Sequence, residues 1–239
     1  QTWTATNNGA ILDGNPVLSL EVSDVDLNVV YATTAPVTTP QTALWKSIDG
    51  GVSWNNVVAG LPNRYLMDVA IDPSNNNRVY VAVGGFGTPH VYKTLNGGTT
   101  WSPVSSGLAD VPANTITIDP LNTQIVYLGN DLGIFVSVDG GASWQPFNEG
   151  LTDATLVMDI SISPFNRKLR LATHGKGVYE RAMLPVTITG IQEAAEVAVN
   201  IFPNPVSNTL HISTDIPGKV AFSIYDLKGK LVHHDALMN

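Results

Sequence analysis

Short runs in which apolar and polar residues alternate recur along the chain, and almost no segment repeats its apolar residues at helical spacing. Alternation of period two marks a half-buried strand. Val29-Val30-Tyr31-Ala32, Arg78-Val79-Tyr80-Val81, Ile125-Val126-Tyr127-Leu128 and Leu169-Arg170-Leu171-Ala172 are rich in β-branched and aromatic residues and predict one set of strands. Each follows an alternating run that ends in a polar turn: Leu20-Glu21-Val22-Ser23-Asp24, Val69-Ala70-Ile71-Asp72-Pro73, Ile116-Thr117-Ile118-Asp119-Pro120 and Ile160-Ser161-Ile162-Ser163-Pro164. An aromatic residue, Trp45, Tyr92, Phe135 or Tyr179, marks a third strand in each unit. The expected class is all-β.

An internal repeat orders these strands. Ser47-Ile48-Asp49-Gly50-Gly51-Val52-Ser53-Trp54 recurs as Thr94-Leu95-Asn96-Gly97-Gly98-Thr99-Thr100-Trp101 and as Ser137-Val138-Asp139-Gly140-Gly141-Ala142-Ser143-Trp144. Trp54 and Trp101 are 47 residues apart, Trp101 and Trp144 are 43 apart, and Gln1-Thr2-Trp3 reads as the tail of a further copy. Four short antiparallel strands, a to d, in roughly 40–50 residues make one β-propeller blade, with the recurring box as the c–d hairpin. The last unit is expected to hold a at about 156–162, b at 168–173 and c at 177–182, and to stop at Leu184-Pro185 without d. A strand from the other end of a propeller can complete such a blade and remove two free sheet edges. That strand is expected before Gln1, so the chain reads as the C-terminal piece of a larger protein. The domain expectation is a partial propeller over 1–183, a linker over 184–200 and a second unit over 201–239.

Hairpin chemistry accounts for the box without catalysis. Asp49, Asn96 and Asp139 each precede a Gly-Gly pair. Their side-chain oxygen is expected to accept backbone N–H groups two residues on, while Gly51, Gly98 and Gly141 supply positive φ. Ser47, Thr94 and Ser137 add a hydroxyl, and Trp54, Trp101 and Trp144 bury a large surface between sheets. An amide at Asn96 cannot act as a carboxylate catalyst or a strong cation ligand, so one structural role is expected for all three boxes. The pattern resembles the Asp-box (BNR) repeat of sialidases, sortilin-type receptors, xyloglucan-cleaving glycoside hydrolases and photosystem-assembly propellers. The likeness runs to about residue 183 and implies the propeller scaffold, which hosts unrelated activities. No Arg-Ile-Pro-type motif supplies the first arginine of a sialidase triad.

The C-terminal stretch carries a separate pattern. Ile201-Phe202-Pro203-Asn204-Pro205 opens it, Leu210-His211-Ile212 follows, and Tyr225-Asp226-Leu227-Lys228-Gly229-Lys230 closes it. The residues predict a proline-fixed entry turn and three short strands, with Lys228-Gly229 in a hairpin. This stretch resembles the C-terminal sorting domain (type A) of the type IX secretion system, lacking that family's later strands. The resemblance implies a small, truncated Ig-like β-sandwich, engagement of the type IX machinery by residues 201–239, and a Bacteroidota-like source. It also implies a secreted, extracellular protein, with anchoring to lipopolysaccharide at the outer-membrane surface as an option.

Charge and composition narrow the partners. Twelve Lys and Arg against twenty Asp and Glu give a net charge of −8, so attraction to nucleic acid or an anionic membrane is not expected. No run of 18 apolar residues is available to span a bilayer, and the absence of cysteine removes disulfides and thiolate chemistry. No cofactor fingerprint, catalytic serine elbow or zinc motif occurs. Asp24-x-Asp26-x-Asn28 is calcium-like only in its first positions, with Val29 and Ala35 where a loop of that kind needs Gly and Glu. His233 and His234 are strand neighbours whose rings should face opposite ways.

The d–a and b–c loops share one face, the default ligand surface. They carry Asp13, Arg64, Tyr65, Phe86, His90, Asp110, Asp131, Asp153 and His174. A glycosidase needs two carboxyls about 5–9.5 Å apart, and Asp131 with Asp110 or Asp153 is the pair these loops offer. Arg64, Tyr65, Phe86, His90 and His174 are the candidates for holding a ligand, although aspartates in loops also serve turns and His174 sits beside a glycine turn. The leading expectation is a binding or structural module for a glycan or protein. The alternative is a glycoside hydrolase, sialidase- or xyloglucanase-like, with part of its catalytic set upstream.

Overall fold

The computed structural model describes residues 2, 12–37, 41–152, 154–186, 199–202, 208–209, 211–214, 219–225 and 231–238. These residues hold strands and turns and no helix. Two compact units divide the chain, Gln1–Val186 and Thr187–Asn239.

Four antiparallel sheets follow one another through the first unit as propeller blades. Blade 1 is β1 (Val17–Val22), β2 (Val30–Thr34), β3 (Ala43–Ser47) and β4 (Asn55–Asn56). Blade 2 is β5 (Leu66–Asp72), β6 (Asn75–Val83), β7 (Val91–Thr94) and β8 (Ser102–Pro103). Blade 3 is β9 (Ala113–Ile118), β10 (Val126–Asn130), β11 (Gly133–Ser137) and β12 (Gln145–Pro146). Blade 4 has three strands, β13 (Val157–Ser163), β14 (Lys168–Thr173) and β15 (Gly177–Ala182), close to the expected bounds. The three tryptophans of the boxes occupy matching places just before β4, β8 and β12.

Blades adhere through both faces of their strands, so the middle strands read as continuous apolar runs. Val79, Val81 and Val83 pack toward blade 1, joined by Tyr92 and Trp101, while Tyr80 and Ala82 on the same strand pack toward blade 3. Blade 3 repeats this with Val126 and Leu128 on one side and Ile125 and Tyr127 on the other. Tyr31, Tyr80 and Tyr127 are each 0% exposed and hold equivalent places in β2, β6 and β10.

Register corrects one expected alignment. Ile160 pairs with Leu171 and Ile162 with Leu169, as Ile116 pairs with Leu128 and Ile118 with Val126. The run in blade 4 that matches Val29–Ala32 is therefore Lys168–Leu171, one residue earlier than composition indicates, and Arg170 stands in the tyrosine position. Composition misled because Leu169 and Leu171 suit a strand in either register, and only pairing with β13 fixes the face.

The box behaves as a hairpin staple, with one change from expectation. Asp49 Oδ1 accepts from the backbone N–H of Ser53, four residues on, at 2.8 Å, and Oδ2 from the Ser53 hydroxyl at 2.6 Å. Asp139 does the same with Ser143 at 2.9 and 2.6 Å. The threonine or serine that opens each box takes the second glycine's N–H: Gly51 to Ser47 and Gly141 to Ser137 at 2.8 Å, Gly98 to Thr94 at 3.0 Å. Asn96 reproduces the network with its polarity partly reversed, its Nδ2 donating to Thr100 Oγ1 at 2.8 Å and its Oδ1 accepting from Thr100 N at 2.9 Å. Both glycines of each pair have positive φ, 71° and 91° in the first box, which side chains other than glycine resist.

The box also joins blades. Lys93 Nζ and the Tyr80 hydroxyl both donate to the carbonyl of Gly140 in the next box, at 2.8 and 2.9 Å. Lys46 does the same to Gly97 at 3.0 Å. Trp101 Nε1 donates back to Val57 O at 2.9 Å, and Trp144 Nε1 to Val104 O at 2.7 Å, each in the preceding blade. Trp54 Nε1 instead donates to Gly51 O within its own turn at 3.0 Å.

In the second unit β16 (Val199–Phe202) pairs with β17 (His211–Thr214), and β18 (Lys219–Tyr225) with β19 (Leu231–Met238). Three strands follow Pro203 as expected, and a further one, β16, precedes it. Pro203-Asn204-Pro205 and Lys228-Gly229 lie outside the described residues.

Candidate functional site

An up-and-down meander returns every second connection to the same end, so the b–c and d–a loops gather on one face. Blade 2 builds the richest part of it. Gly84 N–H donates to Tyr65 O and Gly87 N–H to Asp110 Oδ1, both at 2.8 Å, so one b–c loop is tied to the d–a loops on either side. Arg64, Tyr65, Phe86, His90 and Asp110 are thereby gathered from three separate segments.

Arg64 and Asp110 are exposed, as are both aromatic members, and only the histidine is buried. Phe86 is 61% and Tyr65 46% exposed, whereas His90 is 4% exposed. His90 Nε2 lies 3.0 Å from Asp110 Oδ1, and Nδ1 lies 3.4 Å from Val83 O. These contacts fix the ring, so His90 positions the loop and Asp110. Beside it is an open depression of about 320 Å³ lined by Gly87, Thr88, Pro89, His90, Ser105, Leu108 and Asp110. Exposed rings next to a fixed carboxylate can stack on a sugar or peptide and accept its hydrogen bonds.

The other predicted residues have contacts of their own. Asp131 accepts from Asn114 Nδ2 at 3.0 Å, and the same amide nitrogen donates to Val157 O in blade 4 at 3.1 Å. Asp110 and Asp131 therefore answer to different partners. Asp153 lies outside the described residues. His174 is exposed, and its backbone N–H donates to Leu156 O at 3.0 Å. Asp13 accepts from Thr34 Oγ1 at 2.7 Å and Asn15 N at 2.9 Å. Burial works to raise its pKa, but those hydrogen bonds outweigh it and hold the carboxyl below the usual range.

Asp26 is spent on its own turn, accepting from both nitrogens of Asn28 at 3.0 Å. His234 Nδ1 meets Ser223 Oγ at 2.8 Å, while His233 stacks near Phe222 at 5.9 Å. Among the described residues no three His, Cys, Asp or Glu side chains are grouped to hold a metal ion.

A second concavity, which loop mapping missed, lies along the first strands of the four blades. It has a volume of about 350 Å³ and is lined by Glu21, Asp24, Asp68, Asp159 and the apolar residues between them. Asp68 reaches sideways from a bulge in β5, accepting from Ser19 Oγ at 2.7 Å, Thr115 Oγ1 at 3.0 Å and Ile116 N at 2.9 Å. It ties three blades together, and burial nonetheless raises its pKa above the usual carboxylate value. Glu21 is pushed up to about 7, first by burial and then by the negative charge of Asp68 and Asp24. Nothing in sequence flags this set, because Glu21 and Asp68 look like ordinary outward residues of alternating strands.

Comparison with known proteins places the two units. Residues 200–239 match the secretion system C-terminal sorting domain family. No curated protein matches the chain. Among solved structures, the GH74 enzyme of Niastella koreensis superposes with a TM-score of 0.57 at 21% identity, over 70% of this chain and 28% of that one. The GH74 xyloglucanase of Xanthomonas campestris gives 0.55 at 16% identity, over 66% of this chain and 26% of that one. YCF48 bound to D1 peptide gives 0.54 at 16% identity, over 94% of this chain and 70% of that one. The chain thus spans less than a third of the length of these two GH74 enzymes, and the likeness is one of fold. No helix among the described residues is long and apolar enough to cross a membrane. A β-propeller joined to a C-terminal sorting domain of the type IX secretion system, the chain is exported to the cell surface or the extracellular space.

Proposed function

We propose that the propeller is an exported binding module that holds a glycan or protein ligand on its b–c/d–a face, with Phe86, Tyr65 and Arg64 as contacts and Asp110 as a fixed acceptor. One observation carries this reading: the loop-face carboxylates Asp110 and Asp131 are each engaged by their own partners, Asp110 by His90 and Gly87 and Asp131 by Asn114, while the large aromatic surface of Phe86 and Tyr65 stays exposed. Catalytic hydrolysis of a glycoside needs two carboxyls across one bond. Engagement of the type IX machinery by residues 201–239, and retention at the outer-membrane surface, fit the same role.

The test pairs retention with turnover. The purified protein should be held by a polysaccharide or surface-protein array and lose about tenfold in affinity on Phe86→Ala or Tyr65→Ala, the scale of one stacking contact. It should release no reducing sugar from xyloglucan. Turnover abolished by Asp131→Asn in a folded protein would replace this reading with the hydrolase.

A glycoside hydrolase is the second reading, and Glu21 favours it. A carboxyl titrating near 7 in a concave site is suited to general-acid work. The fold shared with GH74 enzymes supports the same option. Xyloglucan cleavage that Glu21→Gln removes would establish it.

A further inference from the structure

We infer that blades 1 and 2 carry two copies of one binding subsite, and that the ligand held across them is itself a repeating one, a neutral, unbranched polysaccharide. The inference rests on the reading of the b–c/d–a face as the ligand surface. The internal repeat defines the subsites. A depression of about 250 Å³ on blade 1 is lined by Gln41, Thr42, Val58, Leu61 and Asn63. Tyr31 pairs with Lys46 as Tyr80 pairs with Lys93, and Trp54 precedes Trp101 by the same 47 residues that separate the two lysines. That offset carries the five lining positions onto Thr88, Pro89, Ser105, Leu108 and Asp110, every one of which lines the depression of about 320 Å³ on blade 2. Two concavities so matched are one feature of the blade, repeated.

Their chemistry corresponds as well. Leu61 and Leu108 give each a half-buried apolar surface. Asn63 and Asp110 each set a side-chain oxygen at the rim, fixed by a backbone N–H of the b–c loop: Thr42 N donates to Asn63 Oδ1 and Gly87 N to Asp110 Oδ1, both at 2.8 Å. Each depression also has a buried hydroxyl, Thr42 Oγ1 or Thr88 Oγ1, without a hydrogen-bond partner among the described residues. Thr42 is only 6% exposed. Burying a hydroxyl without a partner is costly, so one at each depression points to a polar group that a ligand brings. Threonine reaches such a group by a change of staggered rotamer. Along the chain Arg64 and Tyr65 follow the rim residue Asn63, Phe86 precedes the rim residue Gly87, and the Gly84 bond to Tyr65 O draws the two segments together. Exposed rings thus adjoin both rims.

A ligand that meets the same surface twice is one that repeats. A linear polysaccharide offers the same hydroxyls and C–H faces in every unit, whereas an ordinary peptide changes its side chains from residue to residue. The hydroxyls suit Asn63, Asp110 and the two threonines, and the C–H faces suit the leucines and the rings of Tyr65 and Phe86. A net charge of −8 on the chain disfavours a polyanionic glycan.

Calorimetry with unbranched, neutral glucan, mannan and xylan oligosaccharides, each as the disaccharide and the octasaccharide, tests this. In at least one series the octasaccharide should bind at least about a hundredfold tighter than the disaccharide, the gain that linking two weak subsites brings. Thr42→Val and Thr88→Val should each weaken the octasaccharide about fivefold or more, the scale of one lost hydrogen bond. Neither variant should unfold more readily than the parent, since neither hydroxyl is spent within the fold. Equal affinity for the two lengths, a loss at one blade only, or a valine variant less stable than the parent would each overturn the inference. If Phe86→Ala still weakens the binding that remains, the face stays a single-site binding surface and the proposed function survives. Binding of no oligosaccharide in any series would overturn the inference as well, and the proposed function would then stand or fall on retention by the surface-protein array.

Discussion

Blades 3 and 4 share backbone register and differ in what they show to the side away from blade 1. Blade 3 turns Ile125 and Tyr127 into the core with blade 4, and the Tyr127 hydroxyl accepts from the backbone N–H of Leu184 at 2.9 Å. Blade 4 carries Lys168 and Arg170 in those places, both paired with Glu180 at 3.2 and 2.7 Å and each about two-fifths exposed. One position therefore serves as a core anchor in three blades and as a solvated ion pair in the fourth. Repetition of the backbone does not entail repetition of the interface. Whether a sheet meets another sheet is decided by a few side chains on one face.

The largest expected effect tests that contrast directly. Tyr127→Ala should cost about 3–5 kcal/mol by chemical unfolding, the usual scale for deleting a fully buried aromatic. Arg170→Ala should change stability by about 0.5 kcal/mol or less, as exposed ion pairs do. Comparable losses for the two would show that the outer face of blade 4 is as buried as that of blade 3.

A middle-sized effect concerns the inner strands, where register makes Glu21, Ala70, Thr117 and Ser161 equivalent. Only blade 1 places an acid there. Its folded pKa, about 7, lies above the ordinary 4.5, so the folded state favours the protonated form. The associated stability is complete below about 4.5 and is lost as pH rises through 7. Glu21→Gln should therefore be neutral at pH 4 and stabilising at pH 8. Partial exposure limits the gain to about 1–2 kcal/mol. Thermal melts across that range would sharpen the comparison, and a variant destabilised at pH 8 would break it.

The smallest effect is expected at the boxes. Asn96 holds the same turn as Asp49 and Asp139, so Asp139→Asn should shift the melting temperature by about 2 °C or less at pH 7. Acid separates them. The hydroxyl of Ser143 above all holds Asp139 down at about 2, against an ordinary 3.8, and Ser53 does the same for Asp49. Their contribution is intact above 3.8 and disappears as pH falls through 2. A double Asp49→Asn, Asp139→Asn protein should show a flatter stability profile between pH 4 and pH 2.

The blades were legible in sequence because each hairpin is a local device: serine or threonine, acid or amide, two glycines and a tryptophan act within eight residues. The sorting domain was legible for the same reason, in its Phe-Pro-Asn-Pro and Tyr-Asp-x-x-Gly-Lys pieces. What adjoins what across blades was not. The Tyr80 and Lys93 grip on Gly140 joins residues 60 and 47 positions apart. Arg167 reaches Asp119 across 48 positions as a two-pronged pair at 2.7 and 2.6 Å. Such partners depend on sheet stacking, which no local pattern encodes. The inner-strand carboxyls escaped notice likewise, since alternation places Glu21 outward without saying that the outward side is a shared cavity. Loop residues Arg64, Tyr65, Phe86, His90 and Asp110 could be mapped by counting strands, but only the bonds to Tyr65 and Asp110 draw them together.

The account rests on the boxes binding blade to blade, and indole N–H exchange followed by ¹⁵N-resolved NMR tests it most directly. Trp101 and Trp144, which donate to the preceding blade, should exchange only with global unfolding, whereas Trp54, bonded within its own turn, should exchange at least about a hundredfold faster. Equal protection of all three, or fast exchange at Trp101 and Trp144, would contradict it.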